Sequence, residues 1–492
     1  MKNMKTWLGA LLAVMMLLAM TGIAMADAVP TGSITVENLE PGETVTIYQV
    51  IEIELDGTAA LKDPKWVNGI QAWITANYSE YADAANLPAD GSAKVSKSTF
   101  YNALSGQLAS LNAVKNEQVS AATYTVENLP IGSYMVLVMG GEKAHEAYLT
   151  SIRATRYDFG KAEWVVDNGV VNAAAKCKTP DVEKKEDKTT AAIGDKVTFT
   201  VDSDVPTYPA SAYNVAYELE DIMAEGLTFN GDLKAYGINA TGRTELTPGK
   251  EFVADYAQST TDGKTKIFKL KFDYSQIKDY TQIELVYSAT VNEKIKIGSN
   301  QNTNEVKFTY DHNEKSSYTV LYSFGFDLTK RADSETGELL AGAEFELKQN
   351  GEALKFKKLS DGHYVVDPAG ETKLVTGAEG QMKGKIIIDG LNVGVYKLKE
   401  TKAPDNFNLM QGEKDVIITQ NTQEKHLLAN TNDKEHSKSA YWYQTVVDKR
   451  ISGLPATGGM GTTIFMVAGI AVMACAVVAL MVVLKRQKRS EG

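Results

Sequence analysis

The chain has 492 residues, a formal net charge of −11, five histidines and two cysteines. An acidic surface argues against nucleic acid as a partner, and two cysteines cannot build a disulfide framework. The sequence contains no Gly-x-Ser-x-Gly, no His-Glu-x-x-His, no phosphate loop and no Asp-x-Asp-x-Asp-Gly calcium loop. We therefore expect neither an enzyme that turns over substrate nor a metal or cofactor.

The N-terminus has the pattern of a secretory signal peptide. Lys2 and Lys5 give a positive start, and an apolar run over 7–20 follows. The small residues of a cleavage site come next, in Ala24-Met25-Ala26. We predict cleavage between Ala26 and Asp27 rather than an uncleaved anchor, because the apolar run is short for a membrane span.

Between its two ends the sequence predicts an all-β fold. Alternating apolar and polar residues recur, as in Thr44-Val45-Thr46-Ile47-Tyr48 and Lys196-Val197-Thr198-Phe199-Thr200-Val201, and Gly, Asn, Asp and Pro separate such runs. This spacing is typical of tandem immunoglobulin-like β-sandwich domains. Helical patterns are confined mainly to about 64–111, inside the first domain.

Composition shifts divide the chain into three domains. The first covers 27–175, the second 181–317 and the third 318–433. The segment Lys176-Cys177-Lys178-Thr179-Pro180 is a linker between the first two, and 434–457 is a polar linker after the third. Cys177 has no partner for an internal disulfide, because Cys475 lies in the C-terminal apolar stretch.

The third domain places polar residues on apolar strand faces. Lys330 shares the parity of Phe326 and Leu328, so its ammonium faces the core if they do. The same parity argument turns Glu400 and Asn430 inward. Buried Lys and Glu require partners, so one interpretation is a buried ion pair with Asn430 as a hydrogen-bond partner. The other is a reaction, in which a neutral Lys330 amine attacks the Asn430 carboxamide and a neutral Glu400 polarises its carbonyl.

The C-terminus has three parts in a fixed order. Leu454-Pro455-Ala456-Thr457-Gly458 comes first, an apolar stretch over 464–484 follows, and four basic residues lie within 485–489. The apolar stretch is long enough to cross a bilayer, and the basic tail favours the cytoplasmic side. The pentapeptide resembles the sorting signal that sortases cut between Thr and Gly. Removing 458–492 and the signal peptide changes the net charge of the mature chain to −16.

The third domain resembles the collagen-adhesin B-type (Cna-B) domains of Gram-positive surface proteins. The resemblance lies in Phe-x-Leu-x-Lys ending at Lys330, Leu-x-Gly-Ala-x-Phe-x-Leu over 340–347, and Tyr-x-Leu-x-Glu-Thr-x-Ala-Pro around Glu400. In that family a Lys and an Asn form an intramolecular isopeptide bond that a Glu assists. The resemblance implies a Lys330–Asn430 bond with Glu400 as the helper.

The second domain resembles the middle domain of backbone pilins. Its opening, acidic and closing strands are similar to Pro180–Lys185, Tyr217–Asp221 and Asn302–Asn313. The implied bond is Lys184–Asn313 with Asp221 as the acid, and Lys185 is the alternative lysine. Asn313 differs in parity from the apolar residues before it, so a bulge or turn must intervene. The opening strand of the first domain contains no lysine, and we expect no crosslink there.

The resemblance implies a structural function, namely the shaft subunit of a covalent pilus (fimbria) on a Gram-positive cell wall. A sortase would join Thr457 to an acceptor lysine of the next identical subunit and finally anchor the polymer to peptidoglycan. In backbone pilins that lysine precedes the middle domain, where this chain has Lys176 and Lys178; the usual Tyr-Pro-Lys triplet is absent. Minor pilins and host surface ligands are further partners that the resemblance leaves open. The alternative is a monomeric wall-anchored adhesin whose stalk carries the same bonds.

Overall fold

The structure is a computed structural model that describes residues 29–56, 60–87, 97–158, 160–161, 163–212, 215–429, 439–451 and 459–487. These residues form two compact units. The first comprises Met1–Thr189, Asp195–Ile295 and Asn300–Leu321, and the second comprises Thr190–Gly194, Lys296–Ser299 and Tyr322–Gly492. The sheets described below confirm the predicted all-β fold.

The N-terminal part of the first unit is a β-sandwich with inserted helices. Its strands are β1 Thr31–Glu37, β2 Thr44–Glu52, β3 Lys65–Trp66, β4 Lys115–Gln118, β5 Thr123–Pro130, β6 Gly132–Met139, β7 Ala144–His145, β8 Tyr148–Asp158, β9 Glu163–Asp167, β10 Gly169–Asn172 and β11 Cys177–Lys178. One sheet has the order β10-β1-β5 and the other β3-β2-β6-β8-β9, with β4 on β2; β7 and β11 form a separate pair. Apolar side chains such as Ile34, Val45 and Val136 fill the space between the sheets.

Two α-helices lie where the sequence predicts helical pattern, α1 at Asn68–Asn77 and α2 at Lys97–Ser105. They bury Ile70, Ile74 and Phe100 against residues of the larger sheet, including Met135. Because this face of the sheet is covered by helices, β6 is buried on both sides and its residues are apolar almost without alternation.

The C-terminal part of the first unit is a sandwich of two antiparallel sheets. Its elements are β12 Val182–Glu186, β13 Lys196–Asp204, β14 Tyr217–Ala224, β15 Leu227–Phe229, β16 Lys234–Asn239, β17 Gly242–Glu245, β18 Phe252–Asp255, β19 Ser259–Thr261, β20 Lys264–Phe272, the short helix α3 Tyr274–Ile277, β21 Gln282–Val291, β22 Thr303–Tyr310 and β23 Asn313–Val320. The orders are β12-β13-β21-β16-β17 and β18-β20-β14-β22-β23. Strict alternation of buried and half-buried residues along β13, β14 and β22 turns one face of each strand to a shared core.

The second unit contains the third sandwich. Its strands are β24 Phe324–Ala332, β25 Glu344–Gln349, β26 Glu352–Ala353, β27 Phe356–Ser360, β28 His363–Val366, β29 Leu374–Val375, β30 Lys385–Leu391, β31 Gly394–Lys402, β32 Lys414–Ile418 and β33 Tyr441–Asp448. The sheets have the orders β27-β28-β30-β24-β33 and β26-β25-β31-β32. β33 runs parallel to β24, with Lys330 opposite Val446 and Ala332 opposite Asp448. The sheet thus extends beyond residue 433, where the sequence analysis ends the domain.

The last described element is the helix α4 Gly459–Gln487. Its segment Ile464–Gln487 is long and apolar enough to cross a membrane. The signal-peptide cleavage site at Ala26 and Asp27 and the pentapeptide from Leu454 to Gly458 lie outside the described residues.

Candidate crosslinking sites

The third domain buries a lysine between two acids. β24 turns Phe326, Leu328 and Lys330 to the core, as their common parity predicts. Glu400 comes from β31 in the opposite sheet, and Asp448 comes from β33, beside β24. The side chains of Lys330, Glu400 and Asp448 are all 0% exposed, so water does not screen the interaction between them.

The three groups are in direct contact. Lys330 Nζ lies 2.7 Å from Glu400 Oε1 and donates a hydrogen bond to Asp448 Oδ1. The ammonium also stands 5.4 Å from the centre of the Phe345 ring. Glu400 Oε2 accepts a hydrogen bond of 2.7 Å from the backbone N–H of Met410, which fixes the carboxyl group. One amine thus faces two carboxyl groups, which is the arrangement needed to join the amine to one of them.

Burial raises the pKa of Glu400. Contact with Lys330 and the Met410 amide opposes this shift, whereas the charge of Asp448 adds to it. Two neighbouring carboxylates disfavour double ionisation, so one of them tends to hold a proton. Asp448 Oδ2 has no hydrogen-bond partner among the described residues. The site therefore favours a protonated acid next to a lysine amine.

Asn430, the predicted partner of Lys330, lies outside the described residues. Among the described residues, Asp448 is the second acid in contact with the amine. Sequence reasoning missed Asp448 because Tyr441–Asp448 was assigned to a polar linker. The signal was present, since Tyr-Trp-Tyr-Gln-Thr-Val-Val-Asp is rich in aromatic and β-branched residues and shows the buried parity of Trp442, Val446 and Asp448.

The middle domain buries a second lysine. Lys184 on β12 and Asp221 on β14 have side chains that are 0% exposed and share a hydrogen bond. Lys184 Nζ also lies 2.6 Å from Oδ1 of Asn304, which comes from β22. The hydroxyl of Tyr287 donates to Asp221, and Asn304 Nδ2 donates to that hydroxyl oxygen over 3.2 Å. Amine, acid and carboxamide thus form one closed hydrogen-bonded group.

Burial shifts both ionisable groups of this site towards their neutral forms. It lowers the pKa of Lys184 and raises the pKa of Asp221, although the attraction between the two opposes each shift. The rings of Phe199 and Tyr287 lie 5.6 and 5.3 Å from the ammonium and keep water away. A neutral amine next to a neutral acid is the combination required for attack on a carboxamide.

Asn313, the predicted partner of Lys184, does not reach this site. It begins β23, and its Nδ2 donates a hydrogen bond of 2.8 Å to the carbonyl of Gly141 in the N-terminal sandwich. We therefore replace Asn313 with Asn304, which shares the buried parity of Val306, Phe308 and Tyr310. The alternation of residues over 304–310, with Val306, Phe308 and Tyr310 on one face, shows this parity in the sequence alone. Lys185, the alternative lysine, points outward and pairs with Glu183 at 2.7 Å.

The two candidate acceptor lysines differ in their surroundings. Lys176 is half-buried, and its Nζ stands 5.1 Å from the centre of the Tyr101 ring on α2. Lys178 is 71% exposed, and its Nζ forms an ion pair of 2.7 Å with Asp204. The first domain has no buried lysine among its described residues, so nothing there corresponds to the two lysine sites above.

Comparison with known proteins finds two matching domain families and a relative of similar sequence. Residues 193–314 match the family "Gram-positive pilin backbone subunit 2, Cna-B-like domain", and residues 326–432 match the SpaA "prealbumin-like fold domain". The chain is 22% identical over 416 residues to the trypsin-resistant surface T6 protein of Streptococcus pyogenes serotype M6, covering 80% of this chain and 73% of the relative.

A solved structure of the T6 backbone pilin of the same organism, described as modular with three domains, aligns with a TM-score of 0.51 and 16% identity. The alignment covers 87% of this chain and 100% of that structure. The alignment supports a common fold. At 16% identity it says nothing by itself about the bonds or partners of the present chain.

Proposed function

We propose, from the premise that this chain carries a Gram-positive pilin backbone domain and a SpaA prealbumin-like domain, that it is the shaft subunit of a covalent surface pilus. Its middle and third domains are locked by autocatalytic isopeptide bonds, and a sortase polymerises the subunits and anchors them to the cell wall. The observation that carries the proposal is the burial of Lys184 and Lys330, each against an acid and a second acyl group.

In the middle domain the bond joins Lys184 to Asn304. The neutral amine adds to Cγ of Asn304 while Asp221, in its acid form, donates a hydrogen bond to the carboxamide oxygen. The tetrahedral adduct then expels the amide nitrogen as ammonia, which takes one proton from the former amine. An Nζ–Cγ amide remains, and Asp221 is regenerated. The shifts of both pKa values by burial support this distribution of protons.

In the third domain the bond joins Lys330 to Asp448. The amine adds to the Asp448 carboxyl group, and Glu400 gives its proton to the departing hydroxyl, which leaves as water, and takes one proton back from the former amine. The product is again an amide, but the leaving group is water because the acyl partner is a carboxylic acid. Direct contact of Asp448 with the amine supports this choice, and a bond to Asn430 stays the prediction from the sequence.

Such bonds suit a protein that transmits tension. Lys330 and Asp448 are 118 residues apart in sequence, and they lie on neighbouring parallel strands near the two ends of the domain. Non-covalent domains are stable by only about 5–15 kcal/mol. By analogy with disulfides, closing a loop of about 100 residues adds on the order of 4–5 kcal/mol in the entropy model. An amide, unlike a disulfide, is not reduced.

Polymerisation needs an acyl donor and an acceptor amine. The donor is Thr457, whose carbonyl the sortase cysteine attacks to form a thioester, releasing the chain from Gly458 onward. The acceptor is Lys176 of the next subunit, with Lys178 as the alternative. The apolar helix Ile464–Gln487 supports this order of events, since it can hold the chain in the membrane until the sortase acts.

Tryptic mass spectrometry of native fibres tests the proposal. We expect three branched peptides, joining Lys184 to Asn304, Lys330 to Asp448, and Thr457 to Lys176. Ordinary linear peptides for all of these lysines would refute the proposal. Boiling a wall extract in detergent separates polymer from adhesin, because the polymer gives a ladder of sizes and the adhesin a single species.

A further inference from the structure

The N-terminal sandwich, where we expect no crosslink, buries a different set of polar side chains. Glu43 is 0% exposed, His145 1% and Tyr148 6%. His145 Nε2 lies 2.7 Å from Glu43 Oε1, and His145 Nδ1 lies 3.1 Å from the Tyr148 hydroxyl. Burying such groups costs free energy even when they are paired, so a set that the proposed function does not use calls for an explanation.

The set is rigid at its inner end. Glu43 Oε2 accepts a hydrogen bond of 2.8 Å from the backbone N–H of Glu40. A Cβ at position 141 would lie 2.6 Å from Glu43 Oε1, so glycine at this position lets the backbone pass directly over the carboxylate. The carbonyl of the same Gly141 accepts the hydrogen bond from Asn313 of the middle domain. Both the carboxylate and the loop above it are thus fixed.

The outer end of the set reaches the linker that carries the acceptor. The Tyr148 hydroxyl lies 2.6 Å from the carbonyl oxygen of Ala173 and 3.2 Å from that of Lys176. It therefore spans the 3₁₀ turn Ala173–Lys176 from its first residue to its last. His145 also supports the linker through its backbone, because its strand β7 pairs with β11, which directly follows that turn.

This turn directs the side chain of Lys176. Its ammonium stands over the Tyr101 ring at 5.1 Å, and it has no ion-pair partner in the part of the chain that the structure describes. Lys178, two residues later, is tied to Asp204 instead. The Lys176 amine contacts an aromatic ring and no carboxylate among the described residues, so it is easier to release as a nucleophile than the ion-paired Lys178 amine.

We infer that Tyr148, held by His145 and Glu43, is a positioning residue that fixes the backbone of Lys176 so that its amine is presented for sortase-catalysed joining. This inference rests on the proposed polymer function. The Tyr148 hydroxyl contacts the linker only at two backbone carbonyls, and its other polar contact is His145, so it neither binds the acyl donor nor takes the amine proton. Its effect comes from orientation, to which joining reactions are sensitive.

The test is Tyr148→Phe in the full chain, expressed together with its sortase, with Tyr134→Phe as the matched control. Tyr134 is buried in the same domain, and its hydroxyl also donates to a backbone carbonyl, that of Pro130 at 2.5 Å, away from the linker. The readout is the amount of peptide joining Thr457 to Lys176, relative to the Lys184–Asn304 peptide, in a digest of the whole cell extract that includes unjoined subunits.

We expect Tyr148→Phe to lower that ratio about tenfold or more, and Tyr134→Phe to leave it within about twofold. Equal ratios in the two variants would overturn the positioning role and leave the polymer intact. A wild-type fibre joined through Lys178 would likewise overturn it. The absence of any Thr457–lysine peptide in the wild type would instead refute the proposed function. If the melting temperature falls equally in both variants, the loss of a buried hydrogen bond alone does not explain a difference between their peptide ratios.

Discussion

At the scale of single residues, the acyl partner of each buried lysine decides which small molecule is released. Lys184 faces a carboxamide and Lys330 faces a carboxylic acid. The middle domain should therefore lose ammonia on maturation, and the third domain should lose water. Both sites share a physical feature, since burial raises the pKa of the acid next to the lysine, Asp221 in one and Glu400 in the other.

Replacing Asn304 tests the correction made in the middle domain. We expect Asn304→Ala to abolish the Lys184 crosslink, so the intact mass of the chain no longer includes the loss of one ammonia. Asn313→Ala serves as the matched control and should keep the crosslink, because Asn313 contacts Gly141 rather than Lys184. The opposite result, with the crosslink lost only in Asn313→Ala, would contradict the assignment.

Replacing Glu400 tests the helper acid of the third domain. Without its carboxyl group no proton donor remains beside Lys330 and Asp448, so we expect Glu400→Ala to retain the one water that the parent loses. Intact-mass measurement reads this directly. Glu379→Ala, at an exposed position of the same domain, should match the parent. Equal water loss in Glu400→Ala and the parent would exclude Glu400 as the helper.

At the scale of elements, β33 completes the third domain. It lies in register beside β24 and buries Trp442, Val446 and Asp448, so the domain closes only when this strand has added to the sheet. The strand is the last of the sandwich, and the proposed crosslink would join it to the first. A bond at this position holds both chain ends of the domain together and diverts force away from the hydrogen bonds between the other strands.

Removing the bond at this element should lower stability markedly. We expect Asp448→Ala to reduce the free energy of unfolding of the third domain by about 4 kcal/mol or more, from the loss of loop closure alone. Urea denaturation measures the change. Asp415→Ala, which removes an exposed ion pair with Lys397, should cost less than about 1 kcal/mol. If the two variants unfold at similar urea concentrations, the crosslink does not stabilise the domain.

At the scale of the whole molecule, the subunits of a fibre bear tension in series. The proposed internal bonds would protect the middle and third domains, and the proposed bond between Thr457 and the next subunit would have to be equally irreversible. The extreme C-terminus is discarded in this scheme, so α4 belongs to the precursor and not to the fibre.

Polymer assembly should depend on one lysine of the linker. We expect Lys176→Ala to collapse the detergent-resistant ladder to a single band, and Lys178→Ala to keep it, because Lys178 is already paired with Asp204. Blotting of boiled wall extracts distinguishes the two. A ladder that persists in Lys176→Ala and vanishes in Lys178→Ala would reassign the acceptor, and a ladder in both would move it out of this linker.

Strand alternation is a local property, so the order of residues within a strand is enough to predict which of them face the core. Parity predicts that Lys330 and Glu400 face inward, the resemblance implies the pair Lys184 and Asp221, and the structure brings each lysine together with its acid. The contacts of the two lysines with Asn304 and Asp448, on which the proposed bonds rest, come from the fold. Those contacts join strands that are distant in sequence, and the alternation within one strand does not specify which other strand it will meet or in what register.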